Sequence, residues 1–91
     1  MLQIAFDVDG CLIQQIGVKE DTPRYDVIAL YRLFEKFEND LYIWSGGGID
    51  YATRWRDKLG LTGEVVQKGS FKPDIAVDDE EVDLGIVNLR V

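Results

Sequence analysis

The sequence predicts a single α/β domain, residues 1–91, three layers thick around a mainly parallel sheet of five strands. Three observations predict it. Short apolar runs alternate with longer stretches in which apolar residues recur at helical spacing, the order expected of strands joined by crossover helices. Three of those runs stop abruptly in acids, or in serine and glycine, so the chain turns at each strand end. At 91 residues with 46% hydrophobic content, the chain has material for one small core and no second domain.

In chain order, Leu2–Phe6 is a buried strand that ends in Asp7-Val8-Asp9-Gly10. Cys11–Asp21 is irregular, a small hairpin or flap carrying the apolar residues Leu12, Ile13, Ile16 and Val18. Thr22 reads as a helix N-cap with Pro23 in the first helical position. That helix is expected to reach Glu38, with Val27, Leu30, Tyr31, Phe34 and Phe37 facing inward and Asn39 as its stop. Leu41–Trp44 is the second strand, broken by Ser45-Gly46-Gly47-Gly48. Ile49–Leu59 is the second helix, with Ile49, Ala52, Trp55 and Leu59 inward and Gly60 ending it. Glu64–Gln67, Asp74–Val77 and Gly85–Val91 complete the sheet. The link from Val66 to Ile75 is too short for a crossover helix. Nine extended steps nevertheless reach roughly 30 Å, against about 14 Å for three strand spacings. The chain can therefore cross the sheet without a helix, at the cost of one thinly covered layer.

Composition narrows the chemistry. Absence of His removes Ser-His-Asp triads, Cys-His dyads and His-ligated zinc together. The single Cys11 forms no internal disulfide or CxxC motif, and Gly17 stands where a Cys-x5-Arg phosphate loop needs arginine. Cys11 reads as a small buried filler. Seventeen acids against ten bases give a net charge of −7, which opposes long-range attraction of nucleic acid or anionic lipid. The first residues lack the basic segment of a signal peptide and no apolar run is long enough for a membrane span. A cytoplasmic setting without a membrane partner is expected. Carboxylates, hydroxyls, lysines, arginines or a hard metal ion are left to do the work.

Residues two apart on a strand project to one side, so Asp7 and Asp9 can converge on one point. They stand at the carboxyl end of a predicted parallel strand, where open α/β sheets bind ligands. Alone, the pair is equally well read as a turn, since Asp and Gly are ordinary turn residues. A second apolar strand ends in Asp78-Asp79, with Glu80, Glu81 and Asp83 close behind as an alternative, solvated acidic turn. Four Asp carboxylates at one sheet edge resist joint ionisation, and an oxygen-ligated Mg²⁺ relieves that cost. Between the acidic clusters, Ser45 and Gly46 open a glycine run ahead of a helix, which suits either a phosphate cradle or a flexible turn.

With Asp7-Val8-Asp9-Gly10-Cys11-Leu12, Ile43-Trp44-Ser45-Gly46-Gly47-Gly48 and Lys72-Pro73-Asp74-Ile75-Ala76-Val77-Asp78-Asp79 in that order, the chain resembles the haloacid dehalogenase-like phosphatases. The likeness runs nearly end to end and is greatest to small members without a large cap domain. It implies a Rossmann-like core and a Mg²⁺-dependent phosphomonoesterase acting on a phosphorylated substrate. Asp7 would be the nucleophile, forming an aspartyl-phosphate, and Asp9 would protonate the leaving oxygen and then activate water. Ser45 and the Gly46 backbone would hold the phosphoryl group, and Lys72 would neutralise charge beside Asp7. Lys68 is a second candidate for that lysine. The metal would be held by Asp7, the Asp9 carbonyl, Asp78 and Asp79. Cys11 departs from the family, which usually has Thr there.

Residues 11–21 are too few for a cap domain, so the site is expected to lie open, with Gln14, Gln15 and Lys19 of the short flap either the nearest thing to specificity residues or simply a loop. Trp44 and Trp55 fall on the apolar pattern and read as core, while Arg54, Arg56 and Lys58 read as a solvated helix face. An open site with a thinly covered sheet also leaves room for a homo-oligomer. Three rivals stand beside the phosphatase reading. A receiver-type signalling domain has similar parts, but its acceptor Asp ends a middle strand, where this chain has Ser45. The others are a phosphate- or metal-binding domain without turnover, and a partner-binding domain that docks through Asp78–Asp83.

Overall fold

The computed structural model describes residues 1–15 and 21–91. Its architecture follows from strand alternation. In β1 (Gln3–Asp7), Ile4 and Phe6 point to one face and Ala5 and Asp7 to the other, and every one of these four is buried. A strand buried on both faces belongs in the middle of a parallel sheet. The sheet order is β5-β4-β1-β6-β7, built from β4 (Asp40–Trp44), β5 (Glu64–Val65), β6 (Ile75–Asp78) and β7 (Val87–Arg90) around β1. All four strand pairings are parallel, so the five-stranded expectation holds.

Two helices cross between strands, α1 (Tyr25–Glu35) from β1 to β4 and α2 (Ile49–Lys58) from β4 to β5. Both lie on the same face. Val27 and Tyr31 of α1 and Ala52 of α2 join Ile4, Phe6, Val8, Ile43 and Val77 in the main core. This is the geometry of right-handed crossovers that step in one direction. The opposite face carries Ala5, Trp44 and Ala76, and among the described residues no helix reaches it. Phe71, from the long β5–β6 connection, covers it instead. Its ring meets Tyr42 at 4.8 Å and Trp44 at 5.8 Å between centroids, both edge-on. The three-layer expectation is therefore corrected: one layer is a loop, not helices. The β5–β6 link does jump three strand positions without a helix, as its length requires.

Several boundaries differ from the sequence reading. Asp21–Pro23 is not a helix start but strand β3, paired antiparallel with β2 (Ile13–Gln15) in a small hairpin. The Thr22 hydroxyl donates to the Gln14 carbonyl at 3.2 Å, so it bonds across the hairpin rather than capping α1. Arg24 precedes α1 without a side-chain cap. At the other end α1 stops at Glu35. Glu38 takes a left-handed backbone at φ 57°, and the Asn39 amide donates to the Phe34 carbonyl at 3.0 Å, satisfying one open helix end. Phe37 falls beyond the helix and is 67% exposed rather than inward. Ile49 is also exposed at the first turn of α2. Of the flap residues, Gln14 is exposed, while Ile16, Val18 and Lys19 lie outside the described residues. Among the described residues, no helix is long and apolar enough to cross a membrane.

Candidate active site

The chain leaves β1 toward α1 on the helix face and leaves β6 on the opposite face, where Leu84 of the β6–β7 loop packs. Adjacent strands whose connections diverge in this way open a crevice at their carboxyl ends. Asp7 ends β1 and Asp78 ends β6, each one residue beyond the paired Phe6 and Val77. Both side chains are nearly sealed, with Asp7 5% and Asp78 2% exposed. Asp79 completes the group. Asp7, Asp78 and Asp79 can each offer a carboxylate oxygen within 4.8 Å of the others.

Among the described residues, one amine answers these acids. Lys68 Nζ donates to Asp7 Oδ1 and to Asp78 Oδ2, both at 3.1 Å. The sequence reading preferred Lys72, but Lys72 is exposed and is not among the residues that line the cleft. The physical reason lies in the β5–β6 connection. Gly69 takes φ +79° and Ser70 N–H donates to the Gln67 carbonyl at 3.0 Å, which reverses the chain just after Lys68. That turn aims Lys68 at the strand ends and lays Phe71 on the uncovered face. Lys72 then lies past the turn, toward the start of β6.

Burial and the neighbouring Asp78 charge outweigh the Lys68 bond and push the Asp7 carboxyl up to about 6. Asp79 is also raised, by burial first and then by its contact with Asp78. Burial works against the Lys68 ammonium, yet its bonds to Asp78 and Asp7 raise it on balance. Three carboxylates facing one ammonium leave an excess of negative charge in a part-buried site.

Asp9 stands apart from the three acids. It is exposed, and Tyr51 Oη donates to its Oδ1 at 2.6 Å. Its carboxylate nevertheless faces the same cleft of about 280 Å³, lined by Asp7, Asp9, Gly10, Gly46, Lys68 and Asp78 among others. Ser45 is buried at the end of β4, and its Oγ accepts the Gly47 N–H at 3.0 Å, leaving its hydroxyl proton to donate. Gly46 sits on the cleft wall. The structure thus gathers Asp7, Asp9, Gly46, Asp78 and Asp79 at one opening, with Ser45 just behind it.

Arg24, Gly10 and Tyr51 support the site, and of these Arg24 escaped the sequence reading. Arg24 Nη1 donates to the Gly10 carbonyl at 2.9 Å and pins the turn after β1. Gly10 has φ +75°, a left-handed backbone that favours glycine, and a side chain there would push the Asp79 carboxylate aside. Burial, and then its bond to Asp9, push the Tyr51 hydroxyl up to about 12. Glycine after paired acids was the one sequence signal for the close approach at Gly10; nothing in the sequence marked Arg24.

Compared with known proteins, the chain matches no family model, no curated protein and no solved structure.

Proposed function

We propose that this chain is a Mg²⁺-dependent phosphomonoesterase of the haloacid dehalogenase-like kind, without a cap domain. The observation that carries the reading is the convergence of Asp7, Asp78 and Asp79 around Lys68 at the crevice between β1 and β6. The donor set fits a hard cation. It is all carboxylate oxygen, part-buried, and only partly neutralised by one lysine. Asp7, Asp78 and Asp79, with the Asp9 carbonyl as the resemblance implies, would hold the ion. When bound, Mg²⁺ supplies positive charge to the phosphoryl oxygens.

The chain's own groups supply the rest. Lys68 occupies Asp7 Oδ1, which leaves Oδ2 to attack phosphorus. A bond forms from that oxygen to phosphorus as the bond to the leaving oxygen breaks, giving an aspartyl-phosphate on Asp7. Asp9 gives its proton to the leaving oxygen, then takes one from the water that attacks phosphorus and frees Asp7. Tyr51 steadies Asp9 in that role. Ser45 and the Gly46 N–H bind the phosphoryl oxygens, and Lys68 offsets their charge. A dehalogenase needs no acid at position 9, so the carboxyl there favours phosphate over halide chemistry.

A panel of phosphomonoesters, assayed with Mg²⁺ or EDTA beside Asp7→Asn, tests the reading. Phosphate release that needs Mg²⁺ and vanishes in the variant is expected. No metal-dependent release from any substrate, or full activity in Asp7→Asn, would remove the basis for it.

A further inference from the structure

The second feature that the fold leaves open is the β7 edge of the sheet. Val87 N–H donates to the Asp74 carbonyl at 2.8 Å and Val91 N–H to the Asp78 carbonyl at 2.9 Å. Strand alternation then turns the N–H and C=O groups of Asn88 and Arg90 away from β6. Among the described residues, β7 has no other strand beside it. Among the described residues, no helix covers the helix face here either. Val87 pairs with Ile75 and Leu89 with Val77, yet α1 and α2 sit over β1, β4 and β5, leaving Val87 55% and Leu89 38% exposed. Natural edge strands are usually blocked by charge, proline or a bulge, and this one carries a single charge.

We propose that β7 pairs antiparallel with β7 of a second copy, joining two sheets into one of ten strands about a two-fold axis at Leu89. The register follows from which groups point outward. Asn88 and Arg90 must form the hydrogen-bonded pairs, each exchanging N–H···O bonds with the other type on the partner. Leu89 then faces Leu89, and Val87 faces Val91. Every position on the helix face of the new ladder is apolar. On the other face the charges complement one another. Asn88 Nδ2 donates to Asp83 Oδ1 at 3.3 Å, so Arg90 of one copy meets the Asn88–Asp83 pair of the other, twice over by symmetry. Arg90 is the only base between Pro73 and Val91, in a segment of six acids: Asp74, Asp78, Asp79, Glu80, Glu81 and Asp83.

The contact is small. Five residues a side bury well under the roughly 1,600 Å² of a standard interface, so the dimer forms in the upper micromolar range. Because the strands run antiparallel, the two acidic clefts open at opposite ends of the joint sheet and neither is blocked. The inference is independent of the phosphatase reading, since the paired residues Val87 to Val91 do not line the cleft.

Sedimentation equilibrium across about 20 µM to about 1 mM brackets that range. The mass should climb from 10.4 kDa toward twice that value. Amide exchange read by NMR locates the contact. The Asn88 and Arg90 amides should slow about two- to threefold at the high concentration, while the Val87 amide, already bonded to β6, stays unchanged. Leu89→Lys, which sets two ammonium groups face to face, and Arg90→Pro, which deletes an outward donor, should both keep the protein monomeric. Circular dichroism checks that each is folded, and if one fails, the other decides. A monomer at every concentration overturns the proposal, as does a dimer that survives both variants or forms without slowing the Asn88 and Arg90 amides.

Discussion

Replacing Asp7 by Asn should stabilise the metal-free protein at neutral pH, although the same change removes the proposed nucleophile. Asp7 is buried beside Asp78, and its carboxyl is raised from 3.8 to about 6 despite the bond from Lys68. An acid whose folded value lies above its unfolded value binds its proton more tightly in the fold. Between pH 4 and 6 the folded state therefore holds more protons than the unfolded state, and stability falls as pH rises through that window. The full loss above it is about two pH units at 1.36 kcal/mol each, or about 3 kcal/mol. Asn has nearly the shape of the protonated acid and escapes that loss, so at pH 7.5 in EDTA the variant should be more stable by about 2–3 kcal/mol. With a urea slope of about 1 kcal/mol/M, the unfolding midpoint moves up by about 2–3 M. Trp44, buried, and Trp55, half-buried, report the transition by fluorescence. The gap should shrink below about 1 kcal/mol near pH 4, where Asp7 is protonated in both proteins. Mg²⁺ should then raise the wild-type midpoint and leave the variant almost unmoved. A variant less stable than wild type at pH 7.5 in EDTA would refute the reasoning, because it would make the Lys68 contact, rather than repulsion and burial, the dominant influence on Asp7.

Other changes probe the remaining supports. Lys68→Met should cost about 2 kcal/mol, discounted from a fully buried pair because the amine is partly exposed, and should lower the proposed phosphatase activity about a hundredfold. Lys72→Ala should change neither by more than about 0.5 kcal/mol or twofold, since its side chain is exposed; urea melts and steady-state assays read both. Gly10→Ala should displace the Asp79 carboxylate and strain a left-handed backbone by about 1–2 kcal/mol, and calorimetric titration should show Mg²⁺ affinity falling while the fold persists. Phe71→Ala should destabilise by about 2–3 kcal/mol and depress activity as well, because the same loop carries Lys68.

The elements that the sequence exposed best were those whose pattern reflects local burial. Ile4 and Phe6 against Ala5 mark a strand buried on both faces, and Val27 and Tyr31 mark an inward helix face. Carboxylates at strand ends followed from the same reading, because a parallel sheet fixes which end of each strand opens to solvent. Thr22 and Pro23 misled because an N-cap and a hairpin strand ask for similar residues, and only the partner across the hairpin, Gln14, decides between them. Lys68 and Lys72 were not separable from spacing. The choice rests on a left-handed turn at Gly69 and on Phe71 finding the Trp44 face, both of them tertiary events. Arg24 was invisible for a related reason, since its partner is a carbonyl oxygen, which every residue carries.

Transfer of the phosphoryl group to Asp7 is the central step of the proposed reaction. Borohydride reduces an acyl phosphate to an alcohol, turning aspartyl-phosphate into homoserine. Asp9→Asn is the protein of choice, because p-nitrophenyl phosphate needs no acid to leave, while hydrolysis of the intermediate still needs the base at position 9. Treated with that substrate and Mg²⁺, then with borohydride, the variant should yield homoserine at position 7 and nowhere else. Phosphate release by the wild-type protein, with no homoserine at position 7 in the variant, would contradict the account.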